Sequence, residues 1–241
     1  MDDACLPEGE LVYAIGDIHG RADLLTLLLA RIAADAEASP NITRRTLIFV
    51  GDYVDRGPDS RQVVETLVSR LPQGFDAFFL KGNHEAILLE FLEDASWLDD
   101  WRANGADATL RSYGVDVEGL AGTRAPPEAW RQAFAASIPD SHRRFYEGLE
   151  VMVARGGYLF VHAGVRPGVP LDAQNPDDLI WIRGAFLNSD ASFGKMVVHG
   201  HTPVATPEMR PNRIGIDTGA CFSGRLTALR LEGCSKSFLQ S

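Results

Sequence analysis

The 241-residue chain is predicted to form an α/β fold in which two packed, mixed β-sheets are flanked by helices. Short runs rich in β-branched and aromatic residues recur along the chain, and each ends in Asp, Asn or His close to a Gly. In the first half these runs alternate with helical patterns, an order that is typical of a parallel or mixed sheet. In the second half short strand patterns follow one another, which indicates a second sheet packed against the first.

The first half contains three predicted strand–helix units. The leucines of the first helix give it a broad apolar face that can pack on a sheet. The predicted order is strand 11–16, helix 21–37, strand 46–50, helix 60–70, strand 75–80 and helix 85–93.

The region from about 95 to 148 is rich in Trp and Ala and is predicted to be helical, with a break around 124–127. Two strands are then predicted on either side of the turn at Arg155–Gly157. Further short strands are predicted at 195–199, 213–217 and 225–231. The whole chain, 1–241, is interpreted as a single domain with a helical insert at 95–148.

The ends of the predicted strands collect most of the side chains that can bind a metal ion. Five of the six histidines are found there: His19, His84, His162, His199 and His201. They are interleaved with Asp17, Asp52, Asp55 and Asn83. The carboxyl ends of strands in an open α/β sheet meet at one edge, and this mixture of oxygen and imidazole ligands suits a pair of divalent cations. We therefore predict a metal site, whereas His142, in a polar helical stretch, is predicted to be a solvated surface residue.

Composition excludes several other classes of protein. The net charge is −10, and the chain has no block of Lys and Arg, so a nucleic-acid-binding surface is not expected. The N-terminus shows no apolar segment typical of a signal peptide, and the apolar run at 24–34 is too short to cross a bilayer. Three cysteines without CxxC spacing predict neither a disulfide framework nor a zinc ribbon and favour a reducing cytoplasm. A soluble cytoplasmic protein without membrane contact is expected.

Five motifs occur in a fixed order: GDIHG at 16–20, GDYVDRG at 51–57, GNHE at 82–85, HAG at 162–164 and GHTP at 200–203. This ordered set resembles the phosphoprotein-phosphatase family of calcineurin-like metallophosphoesterases. The similarity is greatest to its bacterial and bacteriophage branch, which includes lambda-type Ser/Thr phosphatases and symmetrical diadenosine-tetraphosphate hydrolases. With the DTG at 217–219 the motifs span residues 16–219. The resemblance implies the metallophosphoesterase β-sandwich, with a dinuclear metal site at the carboxyl edge of its strands.

Asp17 and His19 are two residues apart, so a continuing strand would place both on one face, where they can bind a first cation with Asp52. The resemblance implies that Asp52 bridges this cation to a second one. The other ligands that it implies for the second cation are Asn83, His162 and His201. Because the set contains no cysteine, Mn²⁺ is favoured, and Fe and Zn are compatible.

The resemblance also implies the roles of the remaining motif residues. A metal-bridging hydroxide would attack phosphorus in line, and His84 would act as the general acid that protonates the leaving oxygen. Asp55 would hold the imidazole of His84 in one tautomer. Arg56 would bind phosphate oxygens through its planar guanidinium group. Arg166 and Arg183 both lie where a second phosphate-binding arginine is expected, and the setting LIWIRGAF favours Arg183.

Three other features lie outside the predicted set of ligands and catalytic residues. His199 is predicted to lie in the core or behind the ligands, since the ligand of this motif is His201. Cys221 is interpreted as a small buried thiol. The stretch WRANGADATLRSYG at 101–114 resembles an element of bacterial Ser/Thr phosphatases in which Ala106 replaces a Gly. It is expected to form a wall of the substrate cleft and to carry no catalytic residue.

The leading functional hypothesis is a metal-dependent phosphomonoesterase, and the 101–114 element favours a Ser/Thr protein phosphatase. The substrate would be a phosphorylated protein or a small phosphoester. The alternative is a symmetrical dinucleoside-polyphosphate hydrolase, which would use the same metal centre. Its bases could stack on Trp97, Trp101 or Trp130, which are equally well explained as core residues. An inactive scaffold is disfavoured because no motif residue is missing. The sequence does not indicate an oligomeric state, and a monomer is compatible with it.

Overall fold

The computed structural model describes residues 4–39 and 41–241. Two five-stranded mixed sheets form its centre, and helices flank them. The strands are β1 Glu10–Ile15, β2 Arg44–Phe49, β3 Phe75–Phe79, β4 Met152–Arg155, β5 Tyr158–Val161, β6 Met196–His199, β7 Glu208–Met209, β8 Arg213–Gly215, β9 Thr227–Glu232 and β10 Ser235–Gln240. The predicted α/β fold with two mixed sheets is confirmed.

Most helices lie in the first half and between β3 and β4. In chain order they are α1 Ala22–Glu37, α2 Ser60–Ser69, α3 Asn83–Glu93, α4 Leu98–Ala103, α5 Ala106–Ser112, α6 Val117–Gly122, α7 Pro127–Ser137, α8 Asp140–Glu147, α9 Pro176–Trp181, α10 Gly184–Leu187 and α11 Ala220–Ser223. Each predicted strand and helix has a counterpart within a few residues. Strands β7 and β10 were not predicted, since each is short or strongly polar.

The first sheet has the order β10-β9-β1-β2-β3, with β1, β2 and β3 parallel. The second has the order β4-β5-β6-β8-β7, with β5, β6 and β8 parallel. Alternate residues of β1 face opposite sides. Leu11 and Tyr13 pack in the core under the helices, whereas Val12 and Ala14 pack in the core between the sheets. The six parallel strands all direct their carboxyl ends to the edge where the motif residues lie.

His142 is fully buried, so the prediction that it lies on the surface is wrong. Its Nδ1 lies 2.8 Å from the hydroxyl of Tyr113, and its Nε2 lies 3.2 Å from a carboxylate oxygen of Glu65 on α2. Most residues around His142 are polar, so the sequence did not indicate that one face of α8 packs on α2. Neighbouring polar residues point outward, and the imidazole satisfies its hydrogen bonds inside.

One disulfide joins Cys5 and Cys234, which corrects the expectation that the cysteines form none. The backbone N–H of Leu6 donates to the carbonyl of Gly233 in the β9–β10 turn, and this contact places the two cysteines together. They are 229 residues apart, and the pairing of β1 with β9 brings the segments that carry them together. Cysteine spacing therefore contained no signal for this bond. In the described ranges, no helix combines the length and the apolar character needed to cross a membrane.

Candidate metal centre

Short loops at the carboxyl ends of the strands hold the motif side chains close together. A Cβ atom at Gly82 would lie 2.1 Å from Oδ1 of Asp52, and one at Gly200 would lie 2.0 Å from Oδ1 of Asp17. Both contacts are far shorter than atoms can tolerate, so only Gly lets these loops approach the carboxylates. The glycines of the motifs therefore determine how tightly the site is packed.

The backbone is strained at the residues that line this edge. Among the described non-glycine residues, positive φ angles occur at Arg124 and at five motif residues: His19, Asp52, Asp55, Arg56 and His201. Such conformations cost of order 1–3 kcal/mol each and persist where the surrounding structure imposes them. Their concentration in the motifs indicates that side-chain placement here is favoured over local backbone stability.

Asp52 lies at the centre of two groups of potential ligands. One group contains His19, Asp52 and His84, and the other contains Asp52, His162 and His201. The Asp52 carboxylate lies 3.5 Å from Nε2 of His19 and 3.5 Å from Nε2 of His162. This position between two clusters is what a bridging ligand requires. His84 occurs in the first group, where the sequence had placed Asp17.

The protonation of the histidines shows that these donors fit cations. Nδ1 of His162 lies 2.8 Å from the carbonyl of Val50, so its proton is there and Nε2 carries a lone pair. That lone pair faces Oδ1 of Asn83 at 3.0 Å, and Nδ1 of His201 lies 2.8 Å from the same oxygen. The two acceptors, Nε2 of His162 and Oδ1 of Asn83, repel one another unless a proton or a cation lies between them. Backbone carbonyls that orient ligand imidazoles are common around protein-bound metals.

His19 is oriented in the same way, because its Nδ1 lies 2.8 Å from the carbonyl of Val54. Its Nε2 accepts a hydrogen bond from Arg56 at 2.7 Å, so the exposed guanidinium group must move aside when this nitrogen binds a cation. Within residues 4–39 and 41–241, three further buried atoms of the predicted site residues make no hydrogen bond: Asp17 Oδ1, His84 Nε2 and His201 Nε2. Asp17 Oδ1 and His201 Nε2 add to the donors available for cations, whereas His84 belongs to a hydrogen-bonded pair with Asp55.

The ionisation of these groups agrees with a cation site. Burial lowers the pKa of His19 to about 3 and that of His201 to about 3, so both imidazoles are neutral near pH 7. Burial raises the pKa of Asp52, but electrostatic interactions with the surrounding histidines, His162 and His84 first, outweigh burial and hold that pKa well below its usual value. A carboxylate anion among neutral imidazoles is the protonation state in which such ligands bind metals.

Asp217 lies beside Asp17 but was not among the predicted site residues. Burial, then repulsion from Asp217 and Asp52, raises the pKa of Asp17 well above its ordinary value. Burial likewise raises the pKa of Asp217 to about 6. The sequence did contain a signal, because Asp217 follows β8 as Asp17 follows β1, but no role was drawn from it. The Asp17 carboxylate also accepts the backbone N–H of His201 at 2.9 Å.

His84 and Asp55 form a buried hydrogen-bonded pair, with Nδ1 of His84 2.7 Å from Oδ2 of Asp55. Burial lowers the pKa of His84, but the carboxylates of Asp52 and Asp55 outweigh it and raise the pKa above its usual value. The Nε2 of His84 lies 3.9 Å from Asp52 and faces the cluster. His84 is therefore held with Nδ1 bound to Asp55 and Nε2 directed towards Asp52.

The 101–114 element contributes more to the site than predicted. The indole N–H of Trp101 donates to Oδ2 of Asp55 at 3.1 Å, and the hydroxyl of Thr109 donates to Oδ1 at 2.6 Å. The backbone N–H of Arg56 donates to the carbonyl of Gly105, whose φ is +101°. Ala106 begins α5 with an ordinary helical backbone, so its methyl group does not disturb the loop. The element holds Asp55 and thereby orients His84.

Glu85 is another residue whose contribution was missed. Its buried carboxylate accepts the backbone N–H groups of Asp52, Tyr53 and Gly82 at 2.9, 2.8 and 3.0 Å. Burial and the nearby charge of Asp52 raise the pKa of Glu85 to about 8. The GNHE motif thus contains a side chain that fixes the loop carrying Asp52 to the start of α3.

The candidate arginines differ in their partners. Arg166 forms hydrogen bonds of 2.6 and 2.5 Å with Asp178, so its guanidinium group is already paired. Arg183 is exposed, and its charge contributes to lowering the pKa values of His162 and His201, after burial, which is the largest cause. Arg183 is thus near the cluster, whereas Arg166 is held by a neighbouring carboxylate.

His199 and Cys221 lie outside the two ligand groups. The ring of His199 packs edge-on against Phe186 at 5.1 Å, and burial lowers the pKa of His199 to about 4. The thiol of Cys221 is half-buried, and burial raises its pKa. The position of His199 in the core agrees with one of the two places predicted for it.

Comparisons with known proteins agree with this geometry. A model of the calcineurin-like phosphoesterase family matches residues 11–224, a span that contains every motif. An asymmetrical bis(5′-nucleosyl)-tetraphosphatase PrpE of Anoxybacillus flavithermus is 29% identical over 239 residues, covering 90% of this chain and 88% of that protein. The protein of the same name from Geobacillus sp. is 30% identical over 236 residues, with 90% and 88% covered. A crystal structure described as a candidate diadenosine tetraphosphatase matches 99% of this chain and 98% of its own, with 23% identity and a TM-score of 0.64.

Proposed function

The chain belongs to the calcineurin-like phosphoesterase family, and from that premise we propose that it hydrolyses dinucleoside tetraphosphates asymmetrically. The observation that carries this proposal is the similarity to asymmetrical bis(5′-nucleosyl)-tetraphosphatases across 90% of the chain. It replaces the symmetrical hydrolase that the sequence offered as an alternative. The placement in the lambda-type Ser/Thr phosphatase branch receives no support from the names of these relatives.

The residues at the sheet edge would have three roles in such a reaction: metal binding, phosphate binding and proton transfer. Asp17, His19 and Asp52 would hold one divalent cation, and Asn83, His162 and His201 would hold a second one with Asp52. The bound cations would neutralise phosphoryl oxygens and activate water as a nucleophile. Arg56 and Arg183 bind the remaining phosphate oxygens by charge-assisted hydrogen bonds. His84 delivers a proton from Nε2 to the leaving oxygen, and Asp55 holds Nδ1.

A second candidate is the Ser/Thr protein phosphatase favoured by the sequence. The observation that supports it is the buried His84–Asp55 pair, with its 2.7 Å hydrogen bond. A serine alkoxide is a poor leaving group that needs a proton, whereas a nucleotide phosphate leaves readily as an anion. A fixed imidazole that can donate a proton is thus of greatest value for a phosphoserine substrate.

The deciding experiment compares diadenosine tetraphosphate with a phosphoserine peptide and separates the nucleotide products by chromatography. We expect the dinucleotide to give the higher kcat/KM and to yield ATP and AMP in equal amounts. Two molecules of ADP per substrate would indicate symmetrical cleavage. A higher kcat/KM for the peptide would favour the phosphatase and contradict the main proposal.

Removal of metal is expected to abolish activity reversibly. The donor set at the cluster consists of carboxylate, amide and imidazole groups, so we expect Mn²⁺ to be the best reactivator among Mn²⁺, Fe²⁺ and Zn²⁺. The measurement is the rate of hydrolysis after dialysis against a chelator and again after addition of each ion. Full activity in excess chelator after extended dialysis would contradict a metal-dependent reaction.

Substitution of the two proposed phosphate-binding arginines should weaken catalysis without removing metal. A lost hydrogen bond between charged groups costs about 1.5–3 kcal/mol, so Arg56→Ala and Arg183→Ala should each lower kcat/KM roughly 10- to 150-fold. Arg166→Ala is the matched control, since its guanidinium group is paired with Asp178. A normal Arg183→Ala enzyme beside an impaired Arg166→Ala enzyme would show that the second arginine was chosen wrongly.

A further inference from the structure

Trp181 differs from the other tryptophans of the chain in its environment. Trp101 and Trp130 are buried at 0% and 2% exposure, and Trp97 is partly buried against the same core, so all three act as packing residues. Trp181, at the end of α9, is 44% exposed. Its indole offers a large apolar face and a polar N–H to any molecule bound beside it.

The exposed indole lies beside the metal cluster. Its ring makes an edge contact with the ring of His201, with centroids 6.4 Å apart and an interplanar angle of 86°. Nδ1 of His201 is 2.8 Å from Oδ1 of Asn83, within the second group of ligands. A molecule whose phosphate lies at the cluster would therefore have the indole within reach of its next chemical group.

The backbone around Trp181 is fixed, so the indole has a defined position. The carbonyl of Leu179 accepts the backbone N–H of Ala163, the residue after His162, at 2.8 Å. Leu179 and Ile182 are buried in the core cluster under the second sheet. The segment that carries the indole is thus tied both to the loop that holds His162 and to the hydrophobic core.

Arg183 follows Trp181 two residues later on the same segment, and its side chain is exposed. One short segment therefore offers an aromatic surface and a cation beside the cluster. This combination matches a nucleotide, which joins a planar base to phosphates through a sugar. A planar aromatic surface has no comparable partner in a phosphoserine side chain.

We propose that Trp181 is a stacking platform for one nucleobase of the substrate and determines the preference for nucleotide phosphoanhydrides. This inference rests on the proposed hydrolysis of dinucleoside tetraphosphates and identifies the residue that recognises the base. Stacking on an aromatic side chain tolerates all bases, because every base presents a π-face. The platform therefore selects nucleotides as a class and not adenine in particular.

The test compares Trp181→Ala, Trp181→Phe and the control Val68→Ala, which shortens an exposed side chain near the end of α2. In Trp181→Ala we expect KM for diadenosine tetraphosphate and Ki for AMP to rise roughly 5- to 150-fold, the range for a lost base stack. The Ki for inorganic phosphate, which has no base, should stay unchanged. Trp181→Phe should restore most of the affinity, and Val68→Ala should behave as wild type.

Two outcomes would overturn the role of Trp181. An unchanged Ki for AMP in Trp181→Ala would exclude stacking, and an equal rise in the Ki values of AMP and phosphate would assign the residue to support of the metal cluster. Both constants can be measured with p-nitrophenyl phosphate as the reporter substrate. Failure of the wild-type enzyme to cleave the dinucleotide would contradict the proposed function. The Ki values for AMP and phosphate would still decide whether Trp181 stacks on a base.

Tryptophan fluorescence gives a second measurement that does not depend on turnover. A base that stacks on the indole should quench its emission, so titration of the wild-type enzyme with AMP should lower the signal. Inorganic phosphate should not. In Trp181→Phe this quenching should disappear, while Trp101 and Trp130 still emit from the core. Equal quenching by AMP in both proteins would contradict the proposal.

Discussion

Asp52→Asn is expected to lower kcat/KM by more than about 100-fold and to reduce the metal content of the purified enzyme. Substitution of residues that merely orient ligands already costs about 10–100-fold in metal affinity or activity. Asp52 lies in both groups of potential ligands, so removal of its charge weakens both cation positions at once. No other described residue is shared by the two groups.

The substitution is conservative enough for this test. Asn has nearly the same volume as Asp, and its amide oxygen can still accept the backbone N–H of His84, which now lies 3.2 Å from Oδ1 of Asp52. The measurements are kcat/KM, metal content by elemental analysis and the midpoint of thermal unfolding. Asp76→Asn is the matched control, because Asp76 is an exposed residue near the opposite end of β3. Full metal content with normal kinetics in Asp52→Asn would exclude the bridging role.

The strand ends were the part of the molecule most open to prediction. Parallel strands must direct their carboxyl ends to a common edge, and Asp17, Asp52, Asn83 and His162 each follow a short apolar run. Sequence order and hydrophobic pattern were therefore sufficient to bring these residues together. The structure places them as expected, although their roles as ligands remain predictions.

Residues that orient a site residue without belonging to the motifs, such as Trp101 and Thr109, could not be predicted from strand order and hydrophobic pattern. The bonds from Trp101 and Thr109 to Asp55 connect positions 46 and 54 residues apart in the chain. An indole N–H and a hydroxyl have many partners in a protein, and no spacing rule links them to a distant carboxylate. The 101–114 element could be recognised, but its contact with Asp55 depends on how α4 and α5 pack beside the sheet.

Dependence on contacts between distant parts of the chain also explains why two predictions, for His142 and for the cysteines, were wrong. His142 lies on a helix whose sequence is strongly polar, and only the packing of α8 on α2 shows that one polar face is internal. The Cys5–Cys234 bond depends on the pairing of the first and penultimate strands, which local pattern does not reveal. Both errors come from contacts between distant parts of the chain and not from misread secondary structure.

His84→Asn is expected to have an effect that depends on the leaving group. General acid catalysis is worth about 10²–10⁴-fold, but only where the departing oxygen needs a proton. Hydrolysis of a phosphoserine peptide should fall by about that factor. Hydrolysis of p-nitrophenyl phosphate should change little, because p-nitrophenolate leaves as a stable anion. Diadenosine tetraphosphate should resemble the latter, since its leaving phosphate has a second pKa of about 6.

The dependence on leaving group separates a general acid from a residue that supports the metals. A loss of metal would slow all three substrates, whereas loss of a proton donor slows the alkoxide alone. Asp55→Asn should show the same bias more weakly, because it removes the carboxylate 2.7 Å from Nδ1 and leaves the imidazole in place. The kcat/KM values for the three substrates, with metal content measured in parallel, supply the test. Equal losses on all three at unchanged metal content would place His84 on the phosphoryl group or on the nucleophile, as its proximity to His19 and Asp52 in the first ligand group would allow.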